Sequence, residues 1–109
     1  MRAISRYNVG VFGEAASNGV RAVINLMADD GPRLALGRLS FYDDGVSVPA
    51  DGESEDGLIL VNLPMSAFAG VVALLQHDRP VKLGLVGGRG VLRTGEWERV
   101  GETELGQGG

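Results

Sequence analysis

At 109 residues and 11.4 kDa the chain is long enough for one domain and too short for two. Its 44% apolar and 22% charged content is that of a folded globule rather than a disordered segment. With no cysteine and one histidine, His77, the composition excludes disulfide scaffolds, thiol catalysis, iron–sulfur clusters, cysteine-based zinc sites and any site built on two imidazoles.

The net charge is −4, with a pI near 4.8, which repels phosphate backbones and anionic membranes at long range. That charge is unevenly spread: residues 29–56 carry eight acids against Arg33 and Arg38, whereas residues 79–99 carry five bases against Glu96 and Glu98. Residues 1–8 lack the apolar stretch of a secretory signal, and the most apolar segment, 65–75, is far shorter than the ~20 residues a membrane span needs. A cytoplasmic protein without membrane attachment is therefore expected. Nine of the ten basic residues are arginine, and with abundant Gly and Ala this points to a GC-rich bacterial gene.

In chain order, Tyr7, Val9 and Val11 alternate with Arg6, Asn8 and Gly10, the period of a half-buried strand over 5–11. Asn18-Gly19 tolerates positive φ and predicts a tight hairpin turn into a second strand over 20–27. Asp29-Asp30-Gly31-Pro32 is a turn. A third strand over 33–42 changes phase: Leu34 and Leu36 share one face, Leu39 and Phe41 the other. A one-residue bulge at Gly37-Arg38 would bring all four together. Asp43-Asp44-Gly45 turns the chain again, Val46-Ser47-Val48 reads as a short strand ended by Pro49, and the acidic stretch 50–57 reads as a solvated loop. The apolar run 58–61 suits a strand covered on both faces.

From Pro64 the period changes. Met65, Phe68, Val71, Val72 and Leu75 form the apolar stripe of a helix over 64–78, with Ser66, Gly70, Ala73 and Gln76 opposite and Pro80 as the stop. Strands over 81–85 and 91–97 follow, joined by a Gly-rich turn. Residues 101–109 have too little apolar content to fold and read as a disordered tail behind a single domain over 1–100. The expected fold is α+β: an antiparallel sheet of five or six strands, open or curled, packed by one helix near 64–78. One helix covers one face of such a sheet, so the surplus apolar strand faces predict self-association, as a dimer.

Candidate chemistry is sparse. The stretch 84–90 has neither GxGxxG nor a following helix, and Gly90 to Gly95 runs into Glu96-Trp97 rather than the Lys-Ser/Thr of a phosphate loop. The acidic stretch 51–57 has Asp56 where a calcium loop needs Gly, and Asn62 where it needs a bidentate Glu. His77 suits the negative end of a helix and carries no nucleophile signature beside it, so an enzyme built on it is a minor alternative. No catalytic residue, cofactor or metal is assigned. The remaining constellation is basic: Lys82, Arg89, Arg93 and Trp97, arginines with one aromatic platform, as single-stranded nucleic acid would require. The flanking acids Glu96 and Glu98 and the acidic total disfavour it. The preferred reading is a non-catalytic module that self-associates and binds a protein partner or small ligand through its sheet face.

Overall fold

The computed structural model describes residues 2–29, 31 and 34–94. Among these residues eight strands form two sheets: a five-stranded sheet in the order β2-β3-β4-β6-β5 and a three-stranded sheet in the order β1-β7-β8. β1 (Arg2–Ala3) and β2 (Arg6–Val11) are one run of chain that changes sheets at Ile4-Ser5. The two consecutive amides serve different sheets: the Ile4 N–H donates to the Val81 carbonyl and the Ser5 N–H to the Met27 carbonyl, both at 2.8 Å. The described residues end at Thr94, so the predicted disorder of 101–109 and the end of the strand predicted over 91–97 lie outside them.

β3 (Val20–Met27) alternates without fault, Val20, Ala22, Ile24 and Leu26 being buried, and it carries the middle of the core. The turn expected at Asn18-Gly19 is present, with Gly19 at φ +91°, but it closes a longer connection than a simple hairpin. The chain makes an eight-residue loop over 12–19, closed by a turn in which the Gly19 N–H donates to the Ala16 carbonyl at 2.8 Å.

β4 (Ala35–Tyr42) shows the predicted phase change, one residue earlier than expected. Leu26 pairs with Gly37 and Met27 with Ala35, so Leu36 is the inserted residue. Leu36, Leu39 and Phe41 share the core, while Leu34 stays exposed. Beside the bulge, Gly37 carries no β-carbon, which would otherwise meet the Ile59 carbonyl of β6 and approach Leu83 Cδ2 of the second sheet at 2.7 Å.

The expectation of a purely antiparallel sheet is corrected. β4 and β6 (Ile59–Pro64) run parallel, Leu39 pairing with Val61 and Phe41 with Leu63. The connection over 43–58 is long enough to carry the chain back to the same end of the sheet, as a parallel crossover requires. Two other expectations along that connection also fail. Residues 46–48 form no strand, and Val46 and Val48 are exposed. The acidic stretch read as a loop contains β5 (Gly52–Glu53), which pairs antiparallel with β6 through a turn in which the Gly57 N–H donates to the Ser54 carbonyl. Nor is the 58–61 run covered on both faces, since only Val61 within it is buried.

After Pro64 the chain makes one 3-10 turn (Met65–Ala67) and then α1 (Phe68–His77). Phe68 sets its ring edge-on to Phe41, centroids 5.1 Å apart, and Val71, Val72 and Leu75 follow along the core. The predicted stripe is thus the packed face, and Gly70 and Ala73 are exposed as expected. No residue of α1 is fully buried. β7 (Val81–Val86) and β8 (Arg89–Thr94) form a hairpin whose two-residue turn, Gly87-Gly88, has φ of +59° and +80°.

Candidate functional site

A concavity of about 570 Å³ opens where α1 ends, between the β1–β2 corner and the start of β7. Its position follows from the sequence. The helix stops at Pro80, preceded by a cis Arg79-Pro80 peptide, and β7 then returns beneath the corner at Ile4. Ile4, Leu75, Pro80 and Val81 supply apolar wall, while Ser5, Tyr7, Gln76, Asp78 and Arg79 supply polar groups. Apolar walls with a few polar groups are the usual composition of a small-molecule site, and the size is in the usual range. Asp78 and Arg79 make no ion pair among the described residues. His77 is exposed and does not line the cleft, so the structure does not join it to the two charged residues that follow it.

The predicted basic constellation is brought together in part. Lys82 and Arg93 are directly opposite in the β7–β8 register, and Arg89 pairs with Val86 at the hairpin end. By strand alternation all three lie on one face of the three-stranded sheet, the face away from Leu83 and Leu92. Two cations facing each other across a strand pair are mutually unfavourable, and no carboxylate forms an ion pair with either among the described residues. Trp97, the aromatic member, lies outside the described residues.

Asp51 of the acidic stretch and Asp29 and Asp43 of the turns are engaged within the fold. Asp51 accepts the Asn62 N–H on Oδ1 at 2.7 Å and the Gly90 N–H on Oδ2 at 2.8 Å, so one side chain clasps β6 to β8 across the two sheets. Asn62 completes the clasp: its Nδ2 donates to the Ala50 carbonyl at 2.9 Å, and its Oδ1 accepts the Tyr42 hydroxyl at 3.1 Å. Asp43 takes both Nε and Nη2 of Arg21 at 2.9 Å, and Arg21 Nη1 also donates to the Phe12 and Gly13 carbonyls. These hydrogen bonds from Arg21, with its charge, hold the Asp43 carboxyl below the ordinary carboxylate range, and they raise Arg21 in turn. Asp29 pairs with Arg6 at 3.0 Å. Among the described residues no three His, Asp or Glu side chains converge as metal ligands.

One feature escaped the sequence reading. On the outer face of the larger sheet Asn8, Asn25 and Arg38 stand in one row across β2, β3 and β4. Asn25 Nδ2 donates to Asn8 Oδ1 at 3.0 Å, and Arg38 Nε donates to Asn25 Oδ1 at 3.1 Å. Its only signal in the sequence is that each polar residue falls on the outward phase of its strand, which becomes a row only once the register is known.

A scan against protein-family models finds no match, and searches of curated proteins and of solved structures find none either. Among the described residues no helix is long and apolar enough to cross a membrane.

Proposed function

We propose that the chain is a non-catalytic module that self-associates and binds a protein partner or small ligand. The observation that carries this reading is the uncovered core-facing side of β2. Val9 and Val11 lie on the same side as buried Ile24 and Ala22, yet they are 41% and 58% exposed. Such residues gain by burial only if something beyond the described residues covers them, and a second copy of the chain would do so. The cleft at the end of α1 supports a ligand role. The engagement of Asp29, Asp43 and Asp51 in ion pairs and backbone hydrogen bonds supports a structural role for these carboxylates.

A second reading, binding of single-stranded nucleic acid, is favoured by one observation: Lys82, Arg89 and Arg93 share a face of the three-stranded sheet. Multi-angle light scattering at low salt, alone and with a short mixed-sequence single-stranded oligonucleotide, separates the two. A dimer unchanged by oligonucleotide is the expected outcome. A mass increase on adding oligonucleotide, abolished by salt and weakened by Arg93→Ala, would transfer the function to the basic face. A monomer at all concentrations would refute self-association.

A further inference from the structure

Every strand that ends a sheet presents unpaired N–H and C=O groups, and folds usually shorten, charge or cover such edges. Among the described residues, three of the four sheet edges follow that rule. β1 and β5 are two residues long, and β8 carries Arg89 and Arg93. β2 does not follow it. It has six residues and no proline or lysine, and its one charge, Arg6, stands at its start and is paired with Asp29.

The hydrogen-bond phase of β2 decides which groups are free. The Phe12 N–H donates to the Arg21 carbonyl, so by antiparallel alternation Gly10, Asn8 and Arg6 also bond to β3. Tyr7, Val9 and Val11 therefore turn their N–H and C=O groups to the open edge, where no backbone partner meets them among the described residues. The side chains of these same residues lie on the core-facing side.

We infer that β2 pairs antiparallel with β2 of a second copy about a two-fold axis at Val9, joining the two larger sheets into one continuous sheet. The inference rests on the self-association proposed above and assigns its surface. The register follows from the free groups. With the axis at Val9, Val9 opposes Val9 of the second copy and Tyr7 opposes its Val11, so every free donor and acceptor of the three residues is used. An axis at Asn8 or at Gly10 leaves some of them unpaired. Side chains agree with that register. Val9 meets Val9 and Tyr7 meets Val11 on the apolar side, while Asn8 meets Gly10 and Arg6 meets Phe12 on the other. No like charges oppose each other, and Arg6 comes to the end of the strand from which Glu14 of the second copy follows two residues on. The strand is thus complementary to its own reversed copy, in hydrogen bonding and in charge, which favours a second copy over an unrelated strand.

The test uses the whole chain. Val9→Pro removes an N–H that points away from β3, so the fold keeps its ladder while the edge loses its central donor. Val9→Lys puts like charges opposite each other at the axis. Both variants are expected to keep the wild-type circular dichroism spectrum, while light scattering falls from twice 11.4 kDa to 11.4 kDa. The chain has no cysteine, so a single one reports register. Val9→Cys is expected to form a disulfide-linked dimer under mild oxidation, because Cα atoms of a hydrogen-bonded pair stand ~5.5 Å apart, within disulfide reach. Val11→Cys is expected not to. A wild-type dimer that survives both Val9→Pro and Val9→Lys would overturn this interface and leave self-association standing through another surface. A dimer broken by both variants but linked through position 11, or through neither cysteine, would overturn the register. A monomeric wild type removes the inference together with the reading beneath it.

Discussion

Two carboxylates show how much one side chain settles in a domain this small. Asp43 is held below the ordinary carboxylate range by the hydrogen bonds and charge of Arg21. A carboxyl whose folded value is depressed contributes stability that is fully present above its unfolded value, about 3.9, and is lost as pH falls through the folded value. The wild type should therefore lose more stability than Asp43→Asn on acidification below pH ~4, and urea midpoints at pH 6 and at pH 3 measure the difference. Equal losses in the two proteins would mean that the pair does nothing for the fold. Asp51 tests differently, because its partners are backbone amides. Asp51→Asn keeps one acceptor oxygen but turns an amide donor toward the N–H of Gly90 or Asn62, leaving a donor unmatched. A loss of about 1–3 kcal/mol is expected, read as a lower urea midpoint with unchanged slope. An unchanged midpoint would show that water serves those amides as well as Asp51 does.

At the level of elements, legibility followed the strength of the local pattern. β3 and α1 were readable because their periods are unbroken: Val20 to Leu26 at every second residue, Phe68 to Leu75 at three and four. The β7–β8 turn was readable because Gly87-Gly88 is chemistry for that turn alone. The bulge in β4 was visible as a phase change, but its position was not. Gly37 sits where it does to admit Leu83 and the Ile59 carbonyl, contacts from residues far along the chain. The parallel pairing of β4 with β6 was not readable at all, since hydrophobic period gives a strand its faces and says nothing of its direction. β5 was hidden because a two-residue strand has no period, and Asp51 looked like a solvated acid because its partners, Asn62 and Gly90, come later in the chain. Among the candidate basic residues, alternation put Lys82 and Arg93 on neighbouring strands, and the register that sets them on one face came from the structure. The row of Asn8, Asn25 and Arg38 needed the inter-strand register, which the sequence does not state.

The whole molecule depends on how closely its two sheets approach. Leu83 of the smaller sheet is buried against the larger one at Gly37, and Gly90 of β8 lies over Val61 of β6, where a β-carbon would collide with the valine side chain. The Asp51 clasp spans the same junction. The sheets thus share one core, and neither has a second apolar layer of its own among the described residues. Gly37→Ala should disturb both the pairing of β4 with β6, where the Ile59 carbonyl cannot rotate away, and the seat of Leu83 from the smaller sheet. A loss of about 1–3 kcal/mol is expected, the usual cost of overpacking. The form of the transition carries more information than its midpoint. If the two sheets are one cooperative unit, near-ultraviolet circular dichroism from the tyrosines, read in a Trp97→Phe background, and far-ultraviolet dichroism from the backbone should shift together in urea. Tyr7 and Tyr42 both belong to the larger sheet, so a tyrosine signal that outlasts part of the backbone signal in Gly37→Ala would mean that the smaller sheet detaches first. In that event the cleft beneath α1, walled by Ile4 and Val81 at the junction of the sheets, would open before the molecule unfolds.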